Sequence, residues 1–185
     1  MKQALILIDI QNDYFPGGAM ELAGSPEAGA QAGKLLRAFR EKALPVIHLQ
    51  HISTRPDAAF FLPHTRGVEI HSSVAPGADE IVIQKNFPNG FRGTPLLDHL
   101  RGRDVGQLVI GGMMTHMCID STTRAAADLG FECFLARDAC ATKTLSFGGE
   151  SVPAASVQTA FLASLNGLFA KVLSVSELCS DRILK

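Results

Sequence analysis

No apolar run in the sequence approaches the roughly 20 residues that a membrane-spanning helix requires. Neither charge sign is in excess, with 17 Lys and Arg standing against 18 Asp and Glu. That near-balance excludes the electrostatic footprint of a nucleic-acid or anionic-membrane binder. No basic arm, acidic tail or low-complexity tract supplies one locally. The four cysteines, Cys118, Cys133, Cys140 and Cys179, form no C-x-x-C pair and show no zinc-like spacing. With 185 residues and 46% hydrophobic content the chain can bury a core without disulfide staples, so reduced thiols in the cytoplasm are the expectation. The opening segment MKQALILIDIQNDYF has too short an apolar part, interrupted at Asp9, to read as a signal peptide. It reads as a buried first strand. With no repeat or linker, one domain over residues 1–185 is expected.

What is present is an alternation. Short β-rich runs lie at 4–10, 45–50, 80–85, 107–112, 133–139 and 170–175, several of them apolar almost without interruption. Strands covered on both faces read this way. Helix-like segments fall between them at 25–42, 94–102, 121–130 and 151–167. The first of these opens with Ser25 as N-cap and Pro26 at the first helical position. The pattern predicts an α/β fold of three layers, α/β/α, around a central six-stranded, mainly parallel sheet. Residues 51–79 break the alternation with three histidines, three prolines and a Phe-Phe pair. A loop of that length and aromatic content reads as a segment covering a substrate.

Ligands of open parallel sheets sit at the carboxyl ends of the strands. There this sequence places Asp9, Lys85 and, one short loop beyond the fourth run, Cys118. With Thr115 as N-cap, Cys118 falls in a first helical turn, among free N–H groups and the positive end of the dipole. That placement, with Lys85 nearby, is expected to lower the thiol pKa and supply thiolate. The same N–H groups suit an oxyanion hole, and Asp9 suits a proton shuttle. The parts are those of covalent acyl transfer. A thiol-redox or ligand-binding role for Cys118 is the competing class, and the lack of a nearby resolving cysteine counts against a disulfide cycle.

The stretches ILIDIQNDYFPGG, KNFPNGFRGTPLLDHLRG and VIGGMMTHMCIDSTTRAAADLGFECFLARDACAT, taken in order, resemble the isochorismatase-like cysteine hydrolase superfamily, in its nicotinamidase-related branch. The resemblance implies a catalytic triad of Asp9, Lys85 and Cys118. It also implies a cis peptide between Met113 and Met114, oxyanion donors at the backbone N–H groups of Met114 and Cys118, and a homodimer or homotetramer. Isochorismatases proper cleave a vinyl ether and generally lack the cysteine, so Cys118 points to the C–N hydrolases. Nicotinamidases add a metal held by an Asp-x-His pair after the second strand, where this chain has His51 and Ser53. The expectation is therefore a metal-free enzyme without cofactor, acting on a small amide or lactam. A metal-dependent nicotinamidase-type amidase using His51, His64 and His71 is the alternative.

Around the triad, Asn12, Phe15, Phe87, Phe91 and His116 are the candidate pocket residues. Asp13 reads equally as a pocket or a turn residue, and Phe87 and Phe91 as pocket or as core beneath a loop. Phe60 and Phe61 suit either substrate contact or a neighbouring subunit. Asp120 and Arg124 have the i,i+4 spacing of a helical ion pair. Cys133 and Cys140 read as structural, and Cys179 as incidental.

Overall fold

The computed structural model describes residues 1–180 and 183–184. Six strands, β1 (Lys2–Ile8), β2 (Val46–His51), β3 (Ile81–Lys85), β4 (Val105–Met113), β5 (Glu132–Ala141) and β8 (Lys171–Leu173), form one sheet in the order β3-β2-β1-β4-β5-β8. Every adjacent pair is parallel. The chain first winds outward from β1 through β2 to β3, then returns to add β4 on the other side of β1. That reversal places the topological switch point, where open α/β sheets open a ligand crevice, between β1 and β4.

Successive strand residues face opposite sides, so a strand covered on both faces is apolar at every position. Leu5 and Leu7 of β1 pack with Leu35, Leu36 and Phe39 of α1 (Ser25–Glu41) on one side. Ala4, Ile6 and Ile8 pack on the other, with Leu96 and Leu100 of α2 (Leu96–Arg101), Ala126 of α3 (Asp120–Asp128) and Leu165 of α4 (Ala154–Leu165). Gly112 fixes the closeness of the two central strands. It adopts φ 139°, and a Cβ there would lie 2.0 Å from the Ile8 carbonyl oxygen.

Several boundaries shift from the sequence expectation. Gly24, at φ 74°, caps α1 in place of Ser25, which is drawn into the helix and fully buried. The segment 151–167 gives up its first residues to an unforeseen antiparallel hairpin, β6 (Leu145–Phe147) and β7 (Glu150–Val152), turning on Gly148 and Gly149. A short α5 (Val175–Leu178) follows β8.

Candidate active site

The carboxyl ends of three strands deliver Asp9, His51 and Lys85 to one point. Asp9 directly follows β1 with φ 52°, a left-handed conformation that aspartate tolerates better than most residues. Lys85 closes β3 and stands in register with His51 at the end of β2. Its Nζ lies 2.7 Å from Asp9 Oδ2, 3.1 Å from His51 Nδ1, 3.2 Å from the Phe87 carbonyl and 3.4 Å from Cys118 Sγ. Four acceptors thus compete for three ammonium protons. Burial alone would lower the Lys85 pKa, but Asp9 and Cys118 outweigh it and keep the side chain charged. Burial and Lys85 together lower His51, which leaves its imidazole neutral.

Cys118 arrives from the turn after β4. The Met113–Met114 peptide is cis. Met114 then caps a single π-helical turn, Thr115–Ile119, that runs directly into α3. Such turns are rare and concentrate at functional sites. The cap is not Thr115, because that hydroxyl donates instead to Gln158 Oε1 at 2.7 Å and lies 3.2 Å from the Ala141 carbonyl. Met117 and Ile119 both donate their N–H groups to the Met114 carbonyl, a pattern that passes over the N–H of Cys118 between them.

One expectation fails here. A lysine and a helix N-terminus were expected to hold Cys118 as thiolate, yet its pKa moves strongly upward. The thiol is 5% exposed, and burial is the largest cause; the Asp9 carboxylate pushes the same way, and Lys85 opposes them without prevailing. The resting group is a thiol. Beside it, Asp9 Oδ1 is buried with no hydrogen-bond partner, the second oxygen of a carboxylate whose first is held by Lys85.

Cys118 and His51 border a cavity of about 410 Å³ walled by Tyr14, Phe60, Phe61, Phe87, Met114 and Met117, with Asp9 and Lys85 behind its lining. Larger clefts of about 620 and 450 Å³ lie elsewhere, and neither includes Cys118. Of the expected pocket residues only Phe87 borders this cavity. Asn12 and Phe15 line the 620 Å³ cleft: Asn12 donates to the Arg66 carbonyl, and Phe15 stacks on His71 with centroids 3.6 Å apart. Phe91 packs against Phe131 and the second core, which is the core alternative for that residue. His116 turns to Thr142 Oγ1 at 2.5 Å and to the edge of Phe161. Phe60 and Phe61 do reach the cavity, and Asp120 pairs with Arg124 at 2.9 Å. Cys133 and Cys140 are buried in the core.

The three histidines of the metal alternative do not converge. His64 is exposed, and His71 is occupied by Phe15 and Ser73. Among the described residues, the one cluster with metal-ligand chemistry is Asp9, His51 and Cys118, whose ligand atoms lie within 4.8 Å of one another. The Lys85 ammonium already stands among them. The sequence reading missed Gln11 as a positioning side chain and left Asp13 open between pocket and turn. Gln11 clasps the His51 backbone through both ends of its amide, and Asp13 accepts the Phe61 N–H at 2.6 Å. These bonds join the turn after β1 to the end of β2 and to the loop beyond it, some 40 to 50 residues away, which no local pattern encodes.

Comparison with known proteins accords with this architecture. The model of the isochorismatase domain matches residues 3–177. The chain belongs to the isochorismatase family. It is 50% identical over 172 residues, 93% of this chain and 96% of the other, to the uncharacterized isochorismatase family protein YddQ of Bacillus subtilis (strain 168). A crystal structure from Oleispira antarctica, ascribed to the isochorismatase hydrolases, superposes with a TM-score of 0.93 at 49% identity, covering 96% of each chain. Family members with named activities are more distant. The nicotinamidase/pyrazinamidase of Mycobacterium tuberculosis is 29% identical over 69% of this chain and 80% of its own. The ureidoacrylate amidohydrolase RutB of Variovorax paradoxus is 28% identical over 83% and 73%.

Proposed function

We propose that this isochorismatase-family chain, acting as one domain over residues 1–185, is a cysteine amidohydrolase that cleaves the C–N bond of a small amide or lactam through a Cys118 thioester. The observation that carries this reading is the free, buried Oδ1 of Asp9 beside a protonated thiol, with Lys85 fixing the other oxygen. The amidase and amidohydrolase names of its relatives favour the same bond type. Asp9 takes the thiol proton as sulfur attacks the carbonyl carbon, so the nucleophile is made only when substrate is present. The backbone N–H groups of Met114 and Cys118 receive the oxyanion. Collapse breaks the C–N bond, and the amine leaves with the proton from Asp9. Water then gives a proton to Asp9 and attacks the thioester; release of the acid returns that proton to sulfur. Throughout, Lys85 balances the negative charge of Asp9, which passes to the oxyanion while Asp9 holds the proton. Among the pocket candidates, Phe87 is assigned to substrate contact, with Phe60 and Phe61.

The test is an amide and lactam panel read by acid-quenched intact-protein mass spectrometry. Wild type should gain the mass of the acyl group on the peptide containing Cys118. Hydrolysis that survives Cys118→Ala would overturn the reading.

The face of α4 turned to solvent supports assembly with a second copy, as a homodimer or homotetramer. No charged residue lies between Glu150 and Lys171, and Phe147 and Leu168 beside this stretch are 93% and 82% exposed. Sedimentation velocity should show a multimer that Ala160→Lys dissociates.

A further inference from the structure

The single tyrosine of this chain stands in the wall of the Cys118 cavity. Tyr14 ends a short 3-10 turn (Asn12–Tyr14) just after β1 and is 1% exposed. Its backbone N–H donates to the Gln11 carbonyl, and its own carbonyl accepts from Leu22. Phe61 and Phe60 hold the ring, with centroids 4.6 and 5.8 Å away. A phenylalanine would satisfy every one of these contacts, so the hydroxyl is surplus to packing. Among the described residues nothing hydrogen-bonds it. The hydroxyl is not sealed in, since the fully buried unpartnered side-chain atoms among the described residues are Asp9 Oδ1, Ser25 Oγ, His48 Nδ1 and Thr123 Oγ1; it opens on the cavity, where water or a bound molecule pairs with it.

Of the other polar groups of the cavity, His51 accepts from Lys85 through its Nδ1 and Ser53 is half-buried. Arg55 and Asp57 are exposed and pair with each other at 2.7 Å, and Asn86 donates to the Ile52 carbonyl. The buried lining side chains other than Tyr14 are Phe61, Met114 and Cys118 itself. Burial first, then Cys118, Asp9 and Asp13, hold the phenol protonated well above its ordinary range. It is therefore a donor in the cavity that Cys118 also lines.

We infer that Tyr14 determines specificity: its hydroxyl donates a hydrogen bond to a second acceptor on the substrate, so preferred amides carry an ether, carbonyl or ring-nitrogen acceptor on an otherwise apolar body. This rests on the reading of the Cys118 site as amide-binding. The natural competitor is a hydroxyl that serves the sulfur instead, helping every substrate alike.

The experiment compares cyclohexanecarboxamide with oxane-2-, oxane-3- and oxane-4-carboxamide, which replace one ring methylene by an ether oxygen. Binding is measured by calorimetry in Cys118→Ala and in Cys118→Ala/Tyr14→Phe. At least one oxane isomer should bind about tenfold tighter than the carbocycle, and Tyr14→Phe should bring that ratio to within about twofold. The assignment is overturned if the carbocycle binds as well as all three isomers, the case in which none binds included, or if the preference survives Tyr14→Phe. Hydrolysis of the same four amides is then followed with Cys118 present. A fall in kcat/KM that is equal for carbocycle and oxane places the hydroxyl on sulfur and also overturns the assignment. An intact binding preference with no hydrolysis of any of the four would sink the amidase reading and leave the Tyr14 contact standing.

Discussion

Strand β3 carries a buried or half-buried ion pair at each end, and the two ends do different work. At the amino end, Glu80 accepts from Arg40 Nε at 2.7 Å and Nη2 at 2.8 Å, from the Gly77 N–H at 2.8 Å, and meets His48 Nε2 at 2.9 Å. Both of its oxygens are engaged. At the carboxyl end, Lys85 holds one oxygen of Asp9 and leaves the other unpartnered beside a thiol. The first network, in which the carboxylate is closed and the one open buried atom is His48 Nδ1, ties β2, β3 and α1 together. The second keeps a place for a proton. The two ends differ in which atom is left open, a ring nitrogen of His48 at one and a carboxylate oxygen of Asp9 beside a thiol at the other.

Activity should separate the two ends most sharply. Asp9→Asn should lower kcat/KM on any substrate found by the panel by about 10³-fold or more. Glu80→Gln should leave kcat within about twofold. If both variants lose activity alike, the contrast between the ends is wrong.

Stability comes next. Lys85→Met leaves the Asp9 carboxylate buried and unpaired, at a cost of about 3–5 kcal/mol by urea unfolding. Arg40→Met removes a guanidinium that is 40% exposed and should cost only about 1 kcal/mol.

Thiol chemistry gives a smaller effect with an unusual sign. Because Asp9 raises the Cys118 pKa and Lys85 lowers it, Asp9→Asn should speed iodoacetamide labelling of Cys118 about tenfold at pH 7.5, and Lys85→Met should slow it. Cys133 and Cys140, each pushed up to about 12 chiefly by burial, serve as references within the same digest. An enzyme made inactive while its nucleophile becomes more reactive would mark Asp9 as the proton carrier. Slower labelling in Asp9→Asn would argue for a resting thiolate.

The smallest effect is on acid stability. The bonds from Arg40 hold the Glu80 carboxyl at about 2, against an ordinary 4.5. As pH falls, the unfolded chain takes up this proton first. The stabilisation from Glu80 is whole above about pH 4.5 and drains away from there to about 2. The Tm difference between wild type and Glu80→Gln should close across that window.

Much of this was legible in the residues themselves. Apolar runs covered on both faces marked the six strands, and the rule that ligands sit at strand ends selected Asp9, Lys85 and Cys118 before any geometry was known. What stayed hidden depended on distance along the chain or on burial. The β6–β7 hairpin turns on Gly148-Gly149, but its strands are three residues each and leave no periodicity to read. Asn12 and Phe15 neighbour Asp9 in sequence, yet the turn after β1 points them to another cleft, while Tyr14 between them lines the Cys118 cavity. The state of the thiol was misjudged because a helix end and a lysine are visible in sequence and the depth of burial is not.

The π-helical turn at Thr115–Ile119 has one more consequence. An α-helix advances about 100° per residue, so one residue beyond the ordinary turn rotates Cys118 by roughly that angle relative to all that follows. The orientation of Cys118 toward Asp9 is thereby uncoupled from the face that α3 presents to the core through Thr122, Thr123 and Ala126. In lineage terms, a single codon gained or lost here re-aims the reactive atom without disturbing the helix behind it, and a graft of this loop onto another scaffold has to carry that extra residue with it.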